Sequence, residues 1–219
     1  MKGLLLKDYC LLRNNAILLF VVLVAVCVFL SIMFGTVIFV VLPTILSIIM
    51  SSLVFNTITI DKMSRWNMIV ATFPVHRQTI LREKYLLYSI TTLIGALFGA
   101  VLCLVRLVLF NDPEGIENNY LMYSLCSSIG FPLMAGSINL PISIFTELGE
   151  AFNAVSMIIS YVIVAGITIV FGMSFQSFPP EKQLTIIALL TAAISIVMFI
   201  LSFVMMSSFQ KKQNRIKQE

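Results

Sequence analysis

Charge is what this chain has least of: 14 Lys and Arg and 10 Asp and Glu among 219 residues, 11% in all, where soluble domains average about 25%. A soluble globule of this size would need far more polar surface to cover its core, and 59% hydrophobic residues with a mean hydropathy of +1.03 make lipid the solvent for most of the surface. The chain reads as an integral membrane protein. Other absences exclude chemistries. His76 is the one histidine, so no imidazole set exists for a metal. The four cysteines, Cys10, Cys27, Cys103 and Cys126, contain no C-x-x-C pair and lie in or beside apolar runs, where a free thiol serves as a small packing residue. No acidic residue and no lysine sits near the middle of an apolar run, which removes the carboxylate, metal and Ser/Lys routes to intramembrane hydrolysis. No G-x-x-x-x-G-K-[ST] occurs, so nucleotide phosphates are not cradled by that route. The chain is expected not to be an enzyme, and any ATP hydrolysis to belong to a partner. Its net charge of +4 is a matter of topology, and no nucleic-acid partner is expected. A cleavable signal peptide is not expected either, because the first apolar run follows Lys2, Lys7, Asp8 and Arg13 and continues to spanning length.

What is present is six apolar segments, Ala16 to Phe34, Val37 to Ile58, Leu86 to Phe110, Tyr120 to Phe145, Ala151 to Met173 and Leu184 to Met206. The shortest reaches about 28 Å at the helical rise of about 1.5 Å per residue, close to the hydrocarbon thickness. All-α architecture follows, a single domain over 1–219 with six transmembrane helices. Gly35 and Thr36 alone join the first two, which form a tight hairpin. Residues 1–15 are weakly amphipathic and are expected to form a helix in the membrane interface; a frayed polar terminus is the alternative. Residues 207–219 form a basic tail.

The long charged interruption is 61–85, DKMSRWNMIVATFPVHRQTILREKY. It holds Asp61, Lys62, Arg65, Arg77, Arg82, Glu83 and Lys84, and placing them in lipid would cost about 17 kcal/mol at roughly 2.5 kcal/mol each. The stretch is therefore expected in water or among headgroups. Trp66, Met68, Ile69, Val70 and Phe73 nevertheless form an apolar patch flanked by basic residues and interrupted by Pro74, a composition suited to docking on another protein. Short basic loops stay in the cytoplasm. With both termini inside, 12 of the 14 Lys and Arg are cytoplasmic and only Arg106 and Lys182 are external, so the docking stretch is cytoplasmic and 111–119, NDPEGIENN, is an external acidic loop.

Several positions break the apolar pattern. Gly130, Pro132, Gly136, Asn139 and Pro141 make the fourth segment the most irregular, read either as a hinge or part of a cargo path or as a kink that neighbouring helices satisfy. Gly95 and Gly99 form a G-x-x-x-G, flanked by Ala96 and Ala100, for close helix contact within the chain or in a dimer. Arg106 lies four residues before the external end of its segment, snorkelling to the interface or facing a cavity as a cargo contact. Glu147 and Glu150 either pair with the basic opening stretch or form a solvated turn.

The order of segments, the opening MKGLLLKDYCLLRNN and above all residues 61–85 resemble the small permease subunits of ABC type 2 exporters, in particular the compact bacterial group that exports peptide toxins, such as the phenol-soluble modulins, and antimicrobial peptides. The resemblance covers nearly the whole chain. Its carriers are Asp61, Lys62, Ser64, Trp66, Pro74, Val75, Arg77, Lys84 and Tyr85, in a pattern D-E-K-S-x-W…L-P-V-x-R…K-Y; Met63 stands where a basic residue is usual and Phe73 where Leu is commoner. The resemblance implies a multi-pass bacterial cell-membrane protein, working as a homodimer or with a related second permease. Two copies of a separate cytoplasmic ATPase subunit would bind ATP and Mg. It also implies a coupling helix between the second and third spans, with Asp61, Lys62, Arg65, Trp66, Met68, Ile69, Phe73, Pro74 and Arg77 at the ATPase and Arg106 and Asn139 as candidates on the cargo path. Cargo would be amphipathic or hydrophobic, with peptides the commonest case. A non-transporting sensor or immunity subunit on the same fold is the alternative.

The basic asymmetry generates a test of topology. Single cysteines at Lys62 or Gln213, in a background without native cysteines, are expected to stay unmodified when an impermeant thiol reagent is added to intact cells. Labelling from outside would reverse the orientation.

Overall fold

The structure is a computed structural model that describes residues 6–8, 10–12, 21, 25, 38–64, 77–110, 118–145, 150–174 and 180–216. Five long helices carry it: α1 Ile38–Met63, α2 Arg77–Phe110, α3 Asn118–Phe145, α4 Glu150–Ser174 and α5 Pro180–Ile216. Residues 6–8 and 10–12 are helical as well, and no strand occurs among the described residues. Each long helix covers one of the apolar segments read from the sequence, α1 all of it but Val37, and runs past it at one end or both. At 34 and 37 residues, α2 and α5 are about 50–55 Å long, well beyond a roughly 30 Å hydrocarbon layer, so their polar ends leave it. Four helices hold stretches long and apolar enough to cross a membrane, Val41–Met63, Gln78–Leu102, Met122–Phe145 and Thr185–Gln210, and α4 holds a shorter one, Val155–Val170. The first expected span, 16–34, lies outside the described residues apart from positions 21 and 25, both helical. The basic tail is helical as far as Ile216.

α3 is the centre of the bundle and packs against α1, α2, α4 and α5. Burial is inverted relative to a protein in water. On α5, Ile196, Val197, Ile200, Leu201, Val204 and Met205 face outward while Ala188, Thr191 and Ser195 are buried. With hydrocarbon outside, apolar surface gains nothing by leaving it, and helices are held by close packing of small residues and by hydrogen bonds. Many buried hydroxyls donate to carbonyls three or four residues back in their own helix, as Ser51 does to Ile48, Thr57 to Val54 and Ser195 to Thr191, which satisfies them without help from water.

The G-x-x-x-G on α2 is used within the chain. A Cβ on Gly95 would stand 2.6 Å from the Ser47 Cα, and one on Gly99 would stand 2.3 Å from the Pro43 Cα. The two backbones are that close because neither glycine has a side chain. Ser47 Oγ uses the proximity to donate to the Thr92 carbonyl at 3.0 Å. Between α1 and α3, Thr44 Oγ1 and Ser127 Oγ are 2.9 Å apart. An aromatic cluster closes the other end of the bundle, with Tyr85 against Phe199 and Phe203 at 5.3 Å each and Tyr88 against Phe55 and Phe199 at 5.7 and 5.9 Å.

α3 runs through Pro132 and Pro141 as one helix. Because proline has no N–H, the carbonyl four residues earlier loses its helical partner. For Pro141 that carbonyl belongs to Ser137, and Ser202 Oγ on α5 donates to it at 2.7 Å. The expected irregularity is thus satisfied by a neighbouring helix. Cys126 is a half-buried free thiol on α3, whereas Cys10, expected as a packing residue, is exposed.

The close approach of α1 and α2 makes Gly99 intolerant of any side chain. Gly99→Val is expected to lower stability by about 1–3 kcal/mol or more by forcing the helices apart. Gly166→Ala, where nothing lies within 4 Å of the added Cβ, should be neutral. Thermal unfolding of the two variants in detergent checks the contrast.

Candidate functional site

Where α1 ends and α2 begins, the chain buries a group of charges. Leu81, Lys84, Tyr85 and Tyr88 fall at i, i+3, i+4 and i+7 on one face of α2, and all four are buried. On α1, Thr57 and Asp61 share a face four residues apart and are also buried. The third contributor is the opening helical segment, whose Leu12 joins the main apolar core and whose Asp8 is 1% exposed.

Lys84 is the hub. Its ammonium has three protons to donate and meets three oxygens, Asp8 Oδ2 at 2.5 Å, Asp61 Oδ2 at 2.7 Å and Thr57 Oγ1 at 3.5 Å. Lys7 completes the group by donating to Asp61 Oδ1 and lying 3.5 Å from Asp8 Oδ1. Both oxygens of Asp61 are therefore occupied by ammonium groups. Glu83 is buried beside this group, and its Oε1 meets no donor among the described residues.

The arrangement corrects one expectation. Residues 61–85 do not all lie in water or among headgroups: the stretch contributes the last turn of α1 and the first two turns of α2, and Asp61, Glu83 and Lys84 are enclosed by protein. Opposite charges from three chain segments make that burial tolerable. Removing ions from water costs several kcal/mol each and the mutual attraction roughly offsets it. What the group contributes is geometry, because it holds the two ends of 64–77 together and ties the opening segment to both.

The residues singled out from the sequence divide accordingly. Arg65, Trp66, Met68, Ile69, Phe73 and Pro74 lie outside the described residues. Arg77 is the first residue of α2 and Arg106 lies one turn before its end, their side chains outside the description. Lys62 is half-buried in the last turn of α1, next to the engaged Asp61. Asn139 is enclosed between α3 and α4, where its Nδ2 donates to Ser160 Oγ at 2.5 Å, and it is 1% exposed. The structure brings Asp61 together with Asp8, Lys7 and Lys84. Of these, Asp8 went unremarked as a site in the sequence, although a single carboxylate among the basic residues of the opening stretch was a signal to look for its partner.

A family model described as "ABC-2 family transporter protein" matches residues 3–210. No curated protein and no solved structure matches the chain.

The buried charges give a stability test. Lys84→Met leaves Asp8 and Asp61 facing each other across Lys7 alone and is expected to cost about 3 kcal/mol, the lower range for breaking a buried pair. Adding Asp8→Asn restores charge balance, with Lys7 and Asp61 still paired, and should recover part of that loss. Thermal unfolding of single and double variants in detergent measures both.

Proposed function

Because the chain belongs to the ABC-2 transporter family, a family of multi-pass membrane proteins, we propose that it is the permease subunit of an ATP-driven exporter. In this reading it moves amphipathic or hydrophobic cargo, peptides foremost, out of the cytoplasm or the inner leaflet. A separately encoded ATPase drives it, two copies acting on a dimer of permeases. The match over residues 3–210 is the observation that carries the reading, since it reaches into every one of the five long helices. The composition agrees: a largely apolar chain without catalytic parts of its own needs an external source of work.

Residues 61–85 would be the coupling element. The buried charges support that role, since Asp61 and Lys84, near its two ends, are joined by a 2.7 Å hydrogen bond. A push on the segment would then reach α1 and α2 together. Trp66 is the residue best suited to anchor the ATPase, because aromatic side chains inserted in a partner's groove dominate interface energetics. The first apolar segment, 16–34, and α4 complete six spans, with both termini and the coupling element in the cytoplasm. Family members of this kind alternate between arrangements of packed units, and small-residue contacts such as Gly95 to Ser47 suit rigid-body movement of helix pairs.

Trp66→Ala tests the assignment. The ring contributes little to a bundle held together in lipid, so the variant should remain folded and monodisperse. Its loss from an interface hot spot should weaken ATPase binding by about 2 kcal/mol, roughly 30-fold. Arg65→Ala and Arg77→Ala should have smaller, salt-dependent effects as rim charges. A pull-down of the ATPase by detergent-solubilised permease reads all three. Full binding by Trp66→Ala would remove this segment from the interface.

A further inference from the structure

The residue after the charge hub leaves it for another part of the bundle. Tyr85 is rotated about 100° from Lys84 around α2, and its hydroxyl lies 2.9 Å from Ser202 Oγ on α5. Ser202 in turn donates to the Ser137 carbonyl on α3 at 2.7 Å. The direction of this chain is fixed by chemistry. A carbonyl only accepts and Ser202 has one proton, so Tyr85 is the donor to Ser202. The carbonyl at the end of the chain is the one that Pro141 deprives of its helical partner. One turn along α2, Tyr88 donates to the Pro132 carbonyl at 2.6 Å, its ring set against Gly136, where a Cβ would stand 2.3 Å from Cε1. Both proline-bearing parts of α3 are thus bonded to tyrosines of α2, one directly and one through α5.

We infer that Tyr85 is a positioning residue for transport: its hydroxyl, acting through Ser202, sets the turn of α3 opened at Pro141, so that displacement of the first turns of α2 is passed to α3. The inference rests on the permease reading, which supplies the displacement through the coupling segment 61–85. The ring of Tyr85 already packs against Phe199 and Phe203, so the fold needs its apolar body and the relay needs its oxygen. The two uses are separable. Tyr85→Phe preserves the packing, leaves Ser202 bonded to Ser137 and deletes only the link to α2. Ser202→Ala deletes both links at once. Because the bonds are in series, the double variant should behave as Ser202→Ala alone.

The experiment uses the full-length permease co-purified with its ATPase, with Cys10, Cys27 and Cys103 replaced by Ser so that Cys126 on α3 is the only thiol. The rate of N-ethylmaleimide modification at Cys126 is measured with and without ATP and vanadate. The parent should show a several-fold change in rate on trapping, and Tyr85→Phe should lose it while keeping its melting temperature, ATPase association and ATP hydrolysis. A parent whose Cys126 rate ignores trapping, a Tyr85→Phe that responds as the parent does, or additive effects of Tyr85→Phe and Ser202→Ala would each overturn the relay. A parent that binds no ATPase would instead overturn the permease reading, so the two failures are told apart.

Discussion

The structure depends on one buried ammonium. Lys84 is enclosed by protein, its three protons directed at Asp8, Asp61 and Thr57, and together with Lys84 on α2 those residues represent the three chain segments that converge at this end of the bundle. A charge in such a place has no fallback. Its surroundings are largely protein, so any movement that separated Lys84 from its carboxylates would leave poorly compensated ions. The opening segment, the end of α1 and the start of α2 are therefore constrained to move as one body. Toward the other end of α1 and α2, contacts are made by small residues and hydroxyls, which hold helices close with little penalty for sliding. The bundle thus combines one rigid corner with softer seams.

Much of this was legible in the sequence because lipid leaves few options. Backbone groups must be satisfied within each segment, so apolar runs of spanning length become helices, and α1, α2, α3, α4 and α5 each contain the run expected of them. The small face of Gly95 and Gly99 was equally readable, since residues without side chains on a helix surface mark close approach; that the partner is α1 of the same chain was left open. The ends of the helices were less legible. Hydropathy falls where charges begin, which put the close of the second segment at Ile58 and the start of the third at Leu86, whereas α1 continues to Met63 and α2 starts at Arg77. A hydropathy argument treats each charge alone and cannot see that Lys84 meets a carboxylate 76 residues away.

Asn139 was likewise singled out for its polarity alone. A polar residue amid an apolar run draws attention as a cargo contact, and so does any proline near it. In the fold its amide nitrogen is bonded to Ser160, and the residue lies between two helices of the same chain. Similarly, the proline at 141 was readable as a hinge or as a tolerated kink, and the difference hung on where the freed carbonyl of Ser137 would find a proton. That donor, Ser202, is 65 residues further on, in a segment whose own pattern gives no hint of it.

The distance along the chain between Asp8 and Lys84 also orders events during synthesis. At about 5–20 residues per second, the 76 residues between them take roughly 4–15 s to emerge from the ribosome. Throughout that interval Asp8 lacks the ammonium of Lys84, and its carboxylate stays hydrated. The corner of the bundle that becomes the most rigid is thus closed late, after the first two apolar segments have been made and before the third. A nascent chain halted before residue 84 would carry the first two apolar segments and lack the cation that joins its beginning to the rest.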